Sequence, residues 1–297
     1  MASTRAFVTV LQSGMKPATA YSRTAVRRIA ADTSSESFHD TIAVEEPLEI
    51  RVGYRANGKR VSKAVSITMR TPGDDRELAA GFLFTEGILG RPGQVESIRH
   101  CGSPSPDKGV RNTLVVELAD DVNLDLKRLE RHFYTSSSCG VCGKSSIEAL
   151  HTGAKKIPDN NYPKIGSEVI HRLPDALSAS QKVFRQTGGL HASALFDTSG
   201  KLEIVREDVG RHNALDKVIG AKFLAGEAPL SDKILLVSGR ASFELVQKSL
   251  MAGIPILAAV GAPSSLAVEL ASEFGMTLAG FVRDGRFNIY CGGERIV

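Results

Sequence analysis

The sequence predicts an α/β layered fold behind a smaller N-terminal β-rich α+β subdomain, and three observations carry that expectation. In the C-terminal half, apolar runs alternate with amphipathic stretches of helical period. Two of those runs, Ile234 to Val237 and Ile254 to Val260, are apolar without alternation, as parallel strands buried on both faces are. Further forward, Asn57-Gly58 separates two strand-like runs, the signature of a two-residue hairpin turn. At 297 residues, 42% hydrophobic and 24% charged, the chain can bury a sizeable core.

Taken in order, residues 1–40 read as a disordered basic tail. They are rich in Ala, Ser, Thr and Arg, and an organelle transit peptide is the alternative, since their apolar stretches are too short for a secretory signal. The β-rich subdomain is expected over 41–135. Its strands are Pro47 to Val52 and Val61 to Met69 around the Asn-Gly turn, then segments near Ser97 and from Leu114 to Leu118. Between these pairs, Thr71-Pro-Gly-Asp-Asp-Arg-Glu turns into a short helix carrying Leu78, Phe82 and Leu83. The α/β core is expected over 136–297. A helix from about Glu168 places Ile170, Leu173 and Leu177 on one face, carries Pro174 inside it, and stops at Gly188-Gly189. Strands follow at Ala192 to Phe196, Leu202 to Val205, Ile234 to Val237, Ile254 to Val260 and Thr277 to Val282. Helices with apolar faces at Leu215, Val218, Ile219 and Phe223, at Phe243, Val246 and Leu250, and at Ala267, Leu270, Ala271 and Phe274 lie between them.

Charge excludes one class of function. The chain carries a formal +4, but Arg5, Lys16, Arg23, Arg27 and Arg28 fall in the first 31 residues with no acid among them, so the body is nearly neutral. A neutral body gives no case for nucleic acid as a partner. No uninterrupted apolar run reaches the roughly 18 residues of a membrane span. Four cysteines in such a chain do not make a secreted disulfide scaffold, and a reducing, cytoplasmic setting is expected.

Two of those cysteines, Cys139 and Cys142, stand in Ser-Ser-Ser-Cys-Gly-Val-Cys-Gly-Lys-Ser-Ser from Ser136. Ser145 and Glu148 fit a capping box, which would put the thiols at a helix N-terminus beside Lys144, where thiolate is favoured over thiol. Spacing alone leaves half of a zinc site, a redox dithiol and a sulfur carrier open; a zinc site would need His151, His191 or His212 to complete it. Cys101 and Cys291 read as small residues without a role.

Ligands in α/β sheets collect at the carboxyl ends of strands, and three polar clusters fall there: Asp208-Val-Gly-Arg-His-Asn, Ser238-Gly-Arg-Ala-Ser and Ala262-Pro-Ser-Ser. In the first, Arg211 and His212 suit an anion; the alternative is a helix start capped by Asp208 with Arg206 and Glu207 facing solvent. In the second, Gly239 admits a ligand and Arg240 offers a phosphate fork. Thr187-Gly-Gly-Leu-His191 reads as a helix stop entering a strand. Phe281-Val-Arg-Asp-Gly-Arg286 sets two arginines about a glycine turn, either a solvated hairpin or a pair of guanidiniums for a diphosphate.

Together these segments resemble the formate dehydrogenase accessory sulfurtransferases, the FdhD/NarQ family. The resemblance rests on TPGDDRELAAGFLFTEGIL from Thr71, SSSCGVCGKSS from Ser136, TGGLHASALF from Thr187, REDVGRHNALDKVIG from Arg206 and SGRASFELVQK from Ser238. It runs from about Thr41 to the C-terminus. It implies a sulfur carrier that takes a persulfide from a cysteine desulfurase and delivers the sulfur to the molybdenum cofactor, in its Mo-bis(molybdopterin guanine dinucleotide) form, for formate dehydrogenase. Cys139 would carry the persulfide with Cys142 assisting, and Phe281, Val282, Arg283, Asp284, Gly285 and Arg286 would bind the cofactor, with Arg211, His212 and Arg240 helping. The family resemblance further implies a homodimer with a cytidine-deaminase-like core. The deaminase zinc pattern is missing, because His191 is followed by Ala-Ser and no Pro-Cys-x-x-Cys lies downstream, so no metal ligand is expected. A dithiol oxidoreductase and a cofactor-binding chaperone without sulfur transfer are the rival readings.

Overall fold

Strands with apolar residues on both faces need cover on both faces, and the two unalternating runs duly lie at the centre of the larger sheet. The computed structural model describes residues 19–32, 34–104, 111–120, 122, 154–158 and 162–297. Its strands are β1 (Tyr21–Ile29), β2 (Ser35–Ala43), β3 (Glu46–Ala56), β4 (Lys59–Arg70), β5 (Val95–Cys101), β6 (Thr113–Leu118), β7 (His191–Phe196) and β8 (Leu202–Asp208), then β9 (Ile234–Val237), β10 (Ile256–Ala259), β11 (Thr277–Arg283) and β12 (Arg286–Cys291). Its helices are α1 (Asp75–Thr85), α2 (Ser167–Ser180), α3 (Phe184–Thr187), α4 (Arg211–Leu224), α5 (Phe243–Met251) and α6 (Ser265–Glu273).

The six-stranded sheet has the order β12-β11-β10-β9-β7-β8. Strands β9, β10 and β11 are parallel and joined through α5 and α6, while β7, β8 and β12 run antiparallel to their neighbours. The smaller sheet has the order β4-β3-β6-β5, with β3 and β6 parallel. Asn57 and Gly58 join β3 to β4 with φ of 51° and 76°, the paired positive values of the tight hairpin turn that the sequence predicts.

Burial sorts these elements into layers. Leu48, Ile50 and Val52 of β3 close on Leu78 and Leu83 of α1, together with Phe223 of α4. On its other side α4 sends Leu215, Val218 and Ile219 onto Leu235, Leu257 and Leu278 of the large sheet, beside Val246 and Leu250 of α5. The opposite face of that sheet is covered by Ile170, Leu173 and Leu177 of α2. The order is therefore small sheet, α1, α4, large sheet, α2. Two glycines allow the central contact. A methyl at Gly81 of α1 would overlap the carbonyl oxygen of Asp216, and one at Gly220 of α4 would overlap that of Glu77, so the two backbones meet almost directly.

Charge also crosses this junction. Lys248 on α5 donates to both carboxylate oxygens of Asp216 on α4, at 3.0 and 2.9 Å, and to Thr85 Oγ1 at the end of α1 at 2.9 Å. Lys217 of α4 donates to the Thr71 carbonyl at 3.0 Å and pairs with Asp208 at 2.7 Å.

Two expectations are corrected. Residues 21–29 and 35–40, read as part of a disordered tail, belong instead to the antiparallel ribbon β1–β2, paired from Tyr21 with Ala43 to Ile29 with Ser35. Seven of its nine opposite pairs contain a polar residue, the exceptions being Tyr21 with Ala43 and Val26 with Phe38, the latter backed by Arg28 with its guanidinium 4.3 Å over the Phe38 ring, so the ribbon has a polar composition that hides its strands. The helix expected from Glu168 to Thr187 is divided into α2 and α3. Pro174 is accommodated within α2, and the break comes after Ser180; Gly188 at φ 65° then ends α3.

Candidate functional site

Five adjacent strands present their ends along one edge of the large sheet. β8 ends at Asp208, β7 begins at His191, β9 runs into Ser238, β10 into Val260, and β11 bends at Phe281. Backbone bonds stitch the edge together: Ser238 N donates to Ala192 O (2.9 Å), Gly261 N to Gly239 O (3.0 Å) and Phe281 N to Gly261 O (3.1 Å). With adjacent strands about 4.8 Å apart, the edge spans on the order of 20 Å from β8 to β11, long enough for an extended ligand.

The segment after β8 divides its residues between structure and site. Asp208 is wholly buried; one oxygen accepts from Thr71 N (3.1 Å) and Lys217, the other from Gly210 N (2.8 Å) and Asn213 Nδ2 (3.0 Å), so it is structural. Arg206 pairs through Nε and Nη2 with Glu77 of α1 at 2.5 and 2.8 Å rather than facing solvent. Glu207 accepts from Val183 N and Phe184 N, fixing the start of α3. What remains for a ligand is the first turn of α4. Arg211 Nε there is buried with no hydrogen-bond partner among the described residues. His212 Nε2 lies 2.6 Å from Glu244 Oε2 and 3.3 Å from Ser242 Oγ.

His191 completes this corner. Burial, reinforced by Arg211 and His212, pushes its imidazole below the ordinary value, so the ring is neutral at neutral pH. A side chain at Gly239 would come 3.3 Å from His191 Nδ1, and glycine there lets the strand-end loop pass close to the ring. Arg240 is exposed on the same loop. The bond between His212 and Glu244 holds the Glu244 carboxyl below its ordinary value.

At the far end of the edge, Phe281 takes φ 54° where the β11–β12 register shifts. The Arg283 guanidinium lies 5.8 Å from the Phe281 ring centre. Arg283 pairs with Arg286 across a turn in which Asp284 and Gly285 both have positive φ, 54° and 68°, and all four residues are exposed. Val282 is different, with its side chain buried in the core on the α2 side, which leaves only its backbone at the edge.

Cys139 and Cys142, with the capping box after them, lie outside the described residues. Cys291 donates from Sγ to the Met276 carbonyl at 3.3 Å, and burial raises its thiol. Among the described residues no group of His, Cys, Asp and Glu is placed to hold a metal ion, and no helix is long and apolar enough to cross a membrane. Glu244 was missed by sequence reasoning, because a glutamate in the first turn of a helix is expected on dipole grounds alone.

Comparison with known proteins adds the following. A family model described as the FdhD/NarQ family matches residues 43–297. A Streptomyces avermitilis protein named sulfur carrier protein FdhD is 52% identical over 259 residues, covering 86% of this chain and 89% of the relative. A Mycolicibacterium paratuberculosis protein of the same name is 50% identical over 276 residues, covering 92% and 98%. In fold, the chain is similar to the crystal structure of a protein from Desulfotalea psychrophila provisionally assigned as a formate dehydrogenase accessory protein, with a TM-score of 0.70 at 24% identity, over 94% of this chain and all of that one.

Proposed function

The chain belongs to the FdhD/NarQ family, and on that premise we propose that it is a sulfur carrier serving formate dehydrogenase. The Cys139 thiolate attacks the terminal sulfur of a persulfide on a cysteine desulfurase. The sulfur–sulfur bond to the desulfurase cysteine breaks, that cysteine leaves as a thiolate, and Cys139 holds the sulfur as its own persulfide. For delivery, the Cys142 thiolate attacks the Cys139 sulfur and hydrosulfide leaves, taking the electron pair of the broken bond. The resulting disulfide returns to the dithiol at the expense of a cellular thiol reductant. The receiving substrate is Mo-bis(molybdopterin guanine dinucleotide), and the protein's part is to bind and orient it.

The observation that carries the binding half of this reading is the row of cations along the strand-end edge, with Arg211 at its β8 end, where the buried Nε has no hydrogen-bond partner among the described residues. Guanidinium forks at Arg211 and Arg240 match diphosphate oxygens in charge and geometry, and His212 adds a ring nitrogen. The Phe281 to Arg286 hairpin would supply a ring face and two further guanidiniums. The same reading takes the protein to be a cytoplasmic homodimer with neither nucleic acid nor membrane as partner. It divides the chain into a strand-rich unit over 41–135 and a cytidine-deaminase-like core over 136–297.

Cys139→Ala tests it. In cells lacking the parent protein, the variant is expected to leave formate dehydrogenase inactive while the purified variant still binds guanosine diphosphate (GDP) as the parent does. Restored formate dehydrogenase activity would establish the chaperone reading instead.

A further inference from the structure

Two side chains from the start of α5 converge on one nitrogen of His212. Ser242 occupies the N-cap of that helix, yet its hydroxyl makes no capping bond and lies 3.3 Å from His212 Nε2. Glu244, in the first turn, has its carboxylate 2.6 Å from the same atom. Both residues are of types that ordinarily serve the helix end itself, so turning them to the histidine forgoes local stabilisation. Nδ1 is left without a hydrogen-bond partner among the described residues, on a side chain that is 33% exposed.

We propose that Glu244 is a positioning residue for the strand-end site: it fixes His212 by Nε2 and sets a negative charge against that side of the ring, so that Nδ1 is turned to the diphosphate of a nucleotide ligand. This rests on the reading of the edge as a nucleotide-binding site. The charges around the ring explain the need. Arg211 precedes His212 on α4 and opposes a further cation there, whereas His191 on β7 is neutral and brings no charge. Asp208 on β8 is already held by Lys217 and Asn213, and Lys248 on α5 by Asp216. Among the described residues, Glu244 is thus the acid that faces His212, and that bond holds its carboxyl below the ordinary range.

The test uses the full chain and GDP as probe. Calorimetric GDP affinity is measured between about pH 6 and 9, and the His212 ring is titrated by NMR without nucleotide. In the parent, affinity falls as pH rises through the His212 titration. Glu244→Gln keeps a hydrogen-bond acceptor but removes the charge; it is expected to lower the His212 midpoint by about one unit and to weaken GDP binding about tenfold at neutral pH. His212→Asn abolishes the pH-dependent step. The phosphate titration of GDP itself is common to all three proteins and cancels in the comparison. An unchanged NMR midpoint in Glu244→Gln overturns the proposal. Absence of GDP binding by the parent at every pH overturns the nucleotide reading of the edge, and with it the ligand assigned to Nδ1, whatever the NMR titration shows.

Discussion

Arg211 and His191 illustrate how one side chain sets the chemistry of another. Burial and the Arg211 guanidinium act in the same direction on the His191 ring, and both favour its neutral form. Removing the guanidinium leaves only part of that depression, so in Arg211→Ala the His191 midpoint should rise toward, but not reach, the ordinary imidazole value. GDP affinity should fall by about tenfold or more, as expected for loss of a charge-assisted bond. Titration of the ring by NMR alongside calorimetry checks both; a His191 midpoint that stays put would show that the two groups do not interact. At this scale the sequence was partly legible. Arg211, His212 and Arg240 stand out because they sit at strand ends, a pattern visible in one dimension. Arg206 reads in sequence as facing solvent and Asp208 as a helix cap, and only their partners, Glu77 on α1 and Lys217 with Thr71, show how deeply both are built into the structure. Glu244 could not be found that way, since its partner lies 32 residues earlier.

Among the elements, the crossing of α1 and α4 positions the site. Helix α4 carries Arg211 and His212 at its first turn, and its depth is fixed by how closely α1 approaches at Gly81 and Gly220. Gly220→Ala forces backbone atoms apart instead of a flexible side chain. It should destabilise the protein by about 3 kcal/mol, measured as a lower denaturant midpoint; an unchanged midpoint would mean that the two backbones do not meet as closely as described. Gly81→Ala acts at the same crossing, so the double variant should cost less than the sum. Hydrophobic period and turn chemistry disclosed most elements, as at Asn57-Gly58 and Ile234–Val237, because those signals are local. The β1–β2 ribbon escaped because its strands are held mainly by cross-strand pairing of polar residues, which leaves no alternation to read.

On the scale of the whole molecule, the large sheet supplies a row of strand ends, the α1–α4 layer fixes the helix that brings Arg211 and His212 to it, and the buried lysines Lys217 and Lys248, ion-paired within the core, hydrogen-bond outward to Thr71 after β4 and Thr85 of α1. Family membership adds the direction of the chemistry: relatives at about half identity over most of their length are named sulfur carriers. In the proposed reading, the Cys139–Cys142 pair would carry the sulfur as thiolates and the strand-end edge would hold an anionic, nucleotide-bearing recipient. The most direct test of the sulfur-carrier claim is to incubate the chain with a cysteine desulfurase and cysteine, then map added mass by peptide mass spectrometry. The account predicts a gain of one sulfur atom on Cys139 in the peptide spanning Ser136 to Lys144, reversed by a thiol reductant. A peptide that stays unmodified while the desulfurase is shown to carry its own persulfide would contradict it.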